Sequence, residues 1–183
     1  MLPIDELNVL KASIQITMED ETLPKETKKR IIRDDVEDFF LMAYMMGVEK
    51  TEETFKKEYV RDTDKLFNAM YKEFDGKNFI EEIDEYVESL DIPAVEMVAD
   101  TGMTRMYSAG AFDAGEQFGG KFKRWKTMED DRVRQTHDFI NGVKVPFESR
   151  FYTFDGDSAL YPGDFYLAKN NCNCRCEIDI LPE

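Results

Sequence analysis

The spacing of apolar residues changes at Gly119-Gly120, and this change limits the chain to one class of fold. Before the two glycines, apolar residues recur every three or four positions, which is typical of amphipathic helices. After them, short aromatic and β-branched runs alternate with turn residues, which is typical of strands. The sequence therefore predicts an α+β fold in which a short antiparallel sheet packs on the helix that precedes it.

Three helices are predicted in the first ninety residues. The first covers residues 25–46 and is expected to end at Gly47, and the second covers residues 51–76. The third covers residues 79–90 and ends before Pro93, because a residue that precedes proline avoids the helical conformation.

A fourth helix is predicted over residues 94–118, where small residues are frequent. Its small residues are Ala99, Gly102, Ser108, Ala109, Gly110, Ala111, Ala114 and Gly115. Glycine weakens a helix, so we expect this helix to lie in close contact with another backbone inside the domain. The interspersed Arg105, Asp113 and Glu116 exclude a membrane-type helix pair.

Strands and turns are predicted in the remaining residues. The strands are 122–127, 143–145, 151–154 and 175–180, with a turn at Asn141-Gly142. We divide the chain accordingly into an acidic α-helical arm or subdomain, residues 1–93, and an α+β module, residues 94–183.

The net charge of −15 belongs mainly to the first half of the chain. Residues 1–100 contain 26 acidic and 13 basic residues, whereas residues 101–183 contain 13 and 11. A negative field repels phosphates, which disfavours a free DNA-binding protein. Two interpretations of the acidic surface stay open: it is a solvated helical face, or it docks on a basic partner.

No segment has the roughly 18 consecutive apolar residues that a membrane span needs, and the N-terminal sequence does not resemble a signal peptide. We therefore expect a protein that stays in the cytoplasm where it is made and has no membrane contact. The three cysteines lie together near the C-terminus, at Cys172, Cys174 and Cys176, which suits reduced thiols better than a disulfide framework.

Three sequence pieces follow one another in the second half of the chain. They are the run from Lys123 to Asn141-Gly142, then Pro162-Gly163-Asp164, and finally Asn173-Cys174-Arg175-Cys176. In this order they resemble the phage Mu F-like minor head protein family over residues 100–181. The residues that carry the resemblance are Trp125, Asp131, Arg132, Arg134, His137, Gly142, Pro162, Gly163, Asp164, Cys174, Arg175 and Cys176. Phe165 and the extra Cys172 depart from the family pattern.

The resemblance implies a minor protein of the phage head that acts in head morphogenesis at or near the portal. It also implies a role in DNA packaging or ejection, a place in the virion and, during assembly, in the host cytoplasm. Portal and capsid proteins are the implied partners, with packaged DNA as a further contact. We expect assembly rather than enzymatic activity. The alternative is a metal-dependent hydrolase or a toxin-like module of phage origin.

The polar residues of the motif have a catalytic and a structural interpretation. His137 beside a carboxylate such as Asp131 is a common proton-transfer unit, but no activated nucleophile accompanies it. We favour the structural interpretation, in which Asp131 accepts hydrogen bonds at a helix start. In that interpretation the arginines bridge carboxylates or carbonyls, and His137 makes a buried polar contact.

The histidine and the cysteines also offer ligands for zinc. Cys172 and Cys176 lie about 13 Å apart on an extended strand, which is too far for one metal unless the chain turns sharply. A site made from His137, Cys174 and Cys176 would need a fourth ligand such as Asp131 or water. We expect buried thiols beside a histidine and no cofactor, with zinc as the alternative.

Two other features have simple structural explanations. Asp155-Gly156-Asp157 and Pro162-Gly163-Asp164 lack the spacing of a calcium loop and are predicted to be turns. Trp125 lies among Lys123, Arg124 and Lys126. We expect a core tryptophan with solvated basic neighbours, and the alternative is contact with packaged DNA.

Overall fold

A computed structural model describes residues 3–74 and 76–183 of the chain. The helices are α1 (Ile4–Glu19), α2 (Lys25–Phe55), α3 (Thr63–Met70), α4 (Phe79–Ser89), α5 (Ile92–Phe118), α6 (Gln135–Asp138) and α7 (Ala168–Asn171). The strands are β1 (Phe122–Lys126), β2 (Lys144–Pro146), β3 (Phe151–Tyr152), β4 (Ser158–Ala159) and β5 (Glu177–Leu181). The predicted α+β class is confirmed.

Helix α5 is the centre of the fold, and α1, α2, α3, α4 and β5 all pack against it. Most of its residues are buried, which explains why its sequence shows no single apolar face. It begins with Asp91 as the N-cap, whose side chain accepts a hydrogen bond from the Ala94 amide. It ends at Gly119, whose φ of 77° is the left-handed conformation that closes many helices.

The small residues of α5 allow α2 to approach it closely. A Cβ atom on Gly47 would lie 1.9 Å from the carbonyl oxygen of Tyr107, and one on Gly110 would lie 2.0 Å from the carbonyl oxygen of Tyr44. At Gly102 the ring of Phe40 occupies the space where a side chain would be. The prediction of tight backbone contact along α5 is therefore confirmed.

Two predicted helix boundaries are wrong. Helix α2 continues through Gly47 to Phe55, because this glycine serves the contact with α5 and not a helix end. The helix predicted over residues 51–76 does not form as one unit, since the chain leaves α2 after Phe55 and starts α3 at Thr63. The side chain of Asp62 caps α3 by accepting hydrogen bonds from two backbone amides.

The fourth predicted helix is confirmed in position, as is the helix predicted over residues 79–90, which forms α4. Asn78 and Glu81 form a capping box at its start. Helix α1 is not among the predicted helices, and it lies against α2 and α5. Leu10 and Ile14 of α1 are fully buried in this contact.

The three-stranded sheet has the order β2-β1-β5, and both pairs are antiparallel. The strands β3 and β4 form a separate hairpin, so the four predicted strands are confirmed, although β3 ends at Tyr152. The predicted turn at Asn141-Gly142 lies between α6 and β2, and Gly142 has a φ of 74°. This arrangement brings α6 and the segment before β5 to the same side of β1.

Buried side chains form two apolar clusters, and α5 contributes to both. The larger cluster joins α5 to α1, α2, α3 and α4. The smaller one contains Ala111 and Phe112 of α5 together with residues of the sheet and the hairpin. The division at residue 93 falls in the first turn of α5 and stays a prediction. Within the described residues, no helix combines the length and apolarity that crossing a bilayer requires.

Candidate functional site

Three polar side chains converge in the core of the C-terminal module. His137 belongs to the short helix α6, which lies after β1, and Cys174 and Cys176 lie just before β5. The two cysteines are two residues apart in an extended segment, so their side chains point to the same side. His137, Cys174 and Cys176 are exposed by only 1%, 1% and 4%. We call these three residues the His-Cys-Cys cluster.

The distances within the cluster are short. The Nδ1 atom of His137 lies 3.6 Å from Sγ of Cys174 and 3.4 Å from Sγ of Cys176. The three candidate ligand atoms all lie within 4.8 Å of one another. Among the described residues, this is the one group of histidine, cysteine and acidic side chains with a geometry that could hold a metal ion.

Aromatic rings hold the imidazole in place. Phe165 stacks on His137 with a centroid distance of 5.2 Å, and the Trp125 ring meets it edge to face at 5.6 Å. The other ring nitrogen of His137, Nε2, is buried and has no hydrogen-bond partner among the described atoms. Packing therefore orients this ring. Phe165, which departs from the family pattern, supplies the ring that stacks on the imidazole face.

The two thiols differ in acidity. A hydrogen bond with Cys176 and the neighbouring His137 lower the pKa of Cys174, although burial opposes this effect. The same hydrogen bond and burial raise the pKa of Cys176. One negative charge on the pair is therefore best placed on Cys174. Cys172 is only half-buried and lies outside the cluster, and burial raises the pKa of its thiol.

Arginine contacts fix the chain around the cluster. Arg175 points away from the two cysteines and forms a bidentate ion pair with Asp130, with N–O distances of 2.8 and 2.7 Å. This pair lowers the pKa of Asp130 to about 2. Arg134 donates a hydrogen bond to the carbonyl oxygen of Cys172. Beside the cluster is a cavity of about 10 Å³, which has room for one water molecule.

The family model described as "Phage Mu protein F like protein" matches residues 63–179, which is more than half of the chain. The chain belongs to this family.

It is also 29% identical over 92 residues to "Minor head protein GP7" of Bacillus phage SPP1. That alignment covers 49% of this chain and 30% of the relative, so the chain spans about a third of that protein's length. No solved structure matches significantly. The resemblance found in the motifs is confirmed, and the family match extends upstream to α3.

The Pro162-Gly163-Asp164 motif packs against α5. Gly163 has a φ of 89°, and a Cβ atom there would lie 2.5 Å from Cβ of Arg105. The buried carboxylate of Asp164 binds Arg150 at 3.1 Å and Lys72 at 2.6 Å. These contacts explain why the motif needs a glycine followed by an acid. The motif forms a turn, as predicted.

The hairpin turn at residues 155–157 is also confirmed as a turn. Gly156 has a φ of 85°. Asp157 is buried, and its carboxylate accepts hydrogen bonds from the backbone amides of Ser158, Tyr166 and Leu167. The acid therefore satisfies backbone donors of the module.

The role predicted for Asp131 is wrong. Asp131 is exposed, and α6 begins four residues later with Arg134 at its N-cap. The neighbouring Asp130 makes the structural contacts instead, through Arg175 and the backbone amide of Arg132. Sequence reasoning could not separate two adjacent acids that differ only in the direction of their side chains. The side chain of Arg132 is 72% exposed.

The environment predicted for Trp125 is correct only in part. Trp125 is fully buried, but Lys123 is fully buried as well and is not solvated as expected. Arg124 and Lys126 point to the other side of β1 and form ion pairs with Asp179 and Glu177 of β5. This strand therefore offers no free group of cations for DNA phosphates, and the signal was present in the alternation of side chains along a strand.

Proposed function

We propose that the protein is a minor component of a phage head that acts in head morphogenesis at or near the portal and contributes to DNA packaging or ejection. The family match over residues 63–179 carries the proposal, supported by the 29% identity to a protein named as a minor head protein. It is located in the virion and, during assembly, in the host cytoplasm. Its partners are portal and capsid proteins.

The geometry of the buried cluster favours assembly over catalysis. His137 and both cysteines are almost completely buried, and the adjoining cavity of about 10 Å³ holds no more than a water molecule. A hydrolase acting on a larger substrate needs an open cleft beside its catalytic groups. The chemistry-bearing residues of the motif therefore support the module's structure.

The apolar face of α2 is not the partner surface. Ile32, Val36, Phe40 and Tyr44 of α2 are buried inside this chain and cannot contact a partner. We infer that the partner binds the acidic half of the surface, where charge attracts a basic protein and accelerates encounter.

An exposed aromatic pair in this half offers an anchor. Phe67 and Tyr71 stack with a centroid distance of 6.0 Å, although they are 55% and 38% exposed. The Tyr71 hydroxyl donates a hydrogen bond to Glu37, which places the pair beside acidic α2. Aromatic side chains in such positions carry much of the binding energy of protein interfaces.

A second exposed pair provides a matched control. Phe139 and Phe154 are 61% and 59% exposed, and their rings meet edge to face at 5.6 Å. They lie in the module, where the sequence is nearly neutral in charge. The two pairs have similar exposure and chemistry and differ in their electrostatic surroundings.

The test measures binding of the full chain to purified portal and capsid proteins of the same phage. We expect the double variant Phe67→Ser/Tyr71→Ser to weaken portal binding about tenfold or more, mainly through faster dissociation. Phe139→Ser/Phe154→Ser should bind like the unmodified chain, and association should slow as salt rises. Loss of binding in the second variant alone would move the interface to the module. Absence of the protein from purified virions, together with no binding to portal or capsid, would refute the function itself.

A further inference from the structure

We propose that His137, Cys174 and Cys176 bind one zinc ion and that a water molecule takes the fourth position. The inference concerns the interior of the module and does not depend on the proposed role in the phage head. Three potential ligands from two separate segments meet at one buried point, with a water-sized cavity beside them.

The distances fit a tetrahedral zinc ion. Zinc–sulfur bonds of about 2.3 Å and zinc–nitrogen bonds of about 2.0 Å place a nitrogen and a sulfur ligand about 3.5 Å apart at the tetrahedral angle. The two observed distances from Nδ1 to the sulfurs are 3.6 and 3.4 Å. The two sulfur atoms lie no more than 4.8 Å apart. This limit is within about 1 Å of the separation that two sulfur ligands have on a tetrahedral zinc ion.

A simple hydrogen bond does not explain the symmetry of this arrangement. Nδ1 of a neutral imidazole has either one proton or one lone pair, so one two-centre hydrogen bond joins it to one sulfur only. Here it lies almost equally close to both sulfurs. A single cation between the three atoms satisfies all of them together.

The charges also balance. Two thiolates neutralise one zinc ion, which allows the group to be buried without a net charge. The nearby guanidinium groups are engaged elsewhere, since Arg175 pairs with Asp130 and Arg134 binds the carbonyl oxygen of Cys172. A ligand set of two sulfurs and one imidazole favours zinc over magnesium or calcium, which prefer oxygen ligands.

The fourth ligand is water because, among the described residues, no further histidine, cysteine or acidic side chain joins the group. Cys172 lies outside the cluster, and Asp131 is exposed. The cavity beside the cluster is lined by all three ligands and has a volume of about 10 Å³. This is close to the smallest space that holds one water molecule.

Bound zinc would join α6 to the segment that precedes β5. Both elements are short, since α6 has four residues and residues 174–176 belong to no helix or strand. The metal would therefore act as a cross-link within the module, in the way that structural zinc stabilises other small domains.

The test starts with the full chain produced in zinc-supplemented medium and purified without added metal. We expect about one zinc per chain by elemental analysis. X-ray absorption should show two sulfur ligands at about 2.3 Å and nitrogen or oxygen ligands at about 2.0 Å. Removing the metal with a chelator should lower the melting temperature, and adding zinc back should restore it.

Three variants locate the site. Cys176→Ser and His137→Ala should each lower zinc affinity more than tenfold, whereas Cys172→Ser should retain full occupancy as the matched control. If the ligand variants fail to fold, the absorption spectrum of the cobalt-substituted unmodified chain still reports the sulfur ligands. A zinc-free unmodified chain whose melting temperature does not respond to added zinc would overturn the proposal. So would zinc that is lost only in Cys172→Ser.

Discussion

The contact between α2 and α5 and the core of the C-terminal module are packed in opposite ways. Where α2 meets α5, Gly47 and Gly110 have no side chain, so the two backbones touch. In the module, Trp125 fills the interior. The centroid of its ring lies 5.1 Å from that of Phe151 and 5.5 Å from that of Phe165. The first region is therefore sensitive to added atoms and the second to removed atoms.

The largest effect is expected from emptying the module's core. Trp125→Ala should lower the free energy of unfolding by about 3–5 kcal/mol, because it removes the largest fully buried side chain and leaves a cavity. Urea denaturation of both chains measures the change. Tyr152→Ala, at a position that is 66% exposed, serves as the control and should change stability by about 0.5 kcal/mol or less. Equal effects of the two variants would contradict the proposed packing.

A smaller effect is expected from adding one methyl group between the helices. Gly47→Ala should lower the free energy of unfolding by about 1–3 kcal/mol, because the new Cβ atom would meet a backbone oxygen that cannot move alone. Alanine otherwise favours a helix by up to about 1 kcal/mol over glycine.

The control for this variant is Glu49→Ala, at an exposed position of the same helix. It should leave stability nearly unchanged, since alanine is a good helix former. If thermal denaturation showed Gly47→Ala to be as stable as the unmodified chain, the backbones of α2 and α5 would have to be farther apart than the structure places them.

The helical half shows how far periodicity can predict a fold. Spacing located α4 and α5, and the small residues of α5 predicted its close contact. The same reasoning ended α2 at Gly47, because a glycine that stops a helix and one that admits a neighbouring backbone look alike in sequence. Asp62 caps α3, and an acid directly before Thr63 is a signal that could have divided the helix predicted over residues 51–76.

The candidate site shows a different limit. Ligand chemistry and strand geometry selected His137, Cys174 and Cys176 and left out Cys172, in agreement with the structure. Roles that depend on side-chain direction were not predictable in the same way. The structural acid is Asp130, and Lys123 faces inward because it shares a face of β1 with Trp125.

The buried Lys123 is the clearest departure from the expected surface cluster. Its ammonium group lies 4.7 Å from the centroid of the Phe112 ring and 5.5 Å from that of Phe151, and its Nζ has no hydrogen-bond partner among the described atoms. Burial lowers the pKa of Lys123 to about 8. The charged form is thus costly in the fold, and the cation–π contacts offset only part of that cost.

Lys123→Met should therefore stabilise the protein at pH 7 by about 1–2 kcal/mol, because methionine fills a similar volume without a charge. The pKa of this lysine is lower in the folded chain than in the unfolded chain, so the unfolded chain binds more protons between about pH 8 and 10.5. The contribution of Lys123 to the free energy of unfolding of the unmodified chain therefore rises across this pH range. The stability advantage of Lys123→Met should shrink accordingly. Urea denaturation at pH 7 and 9.5 measures both effects.

Lys126→Met, on the exposed side of β1, should show no such dependence on pH. If Lys123→Met were less stable at pH 7 by more than about 1 kcal/mol, the aromatic contacts would outweigh the cost of burying the charge.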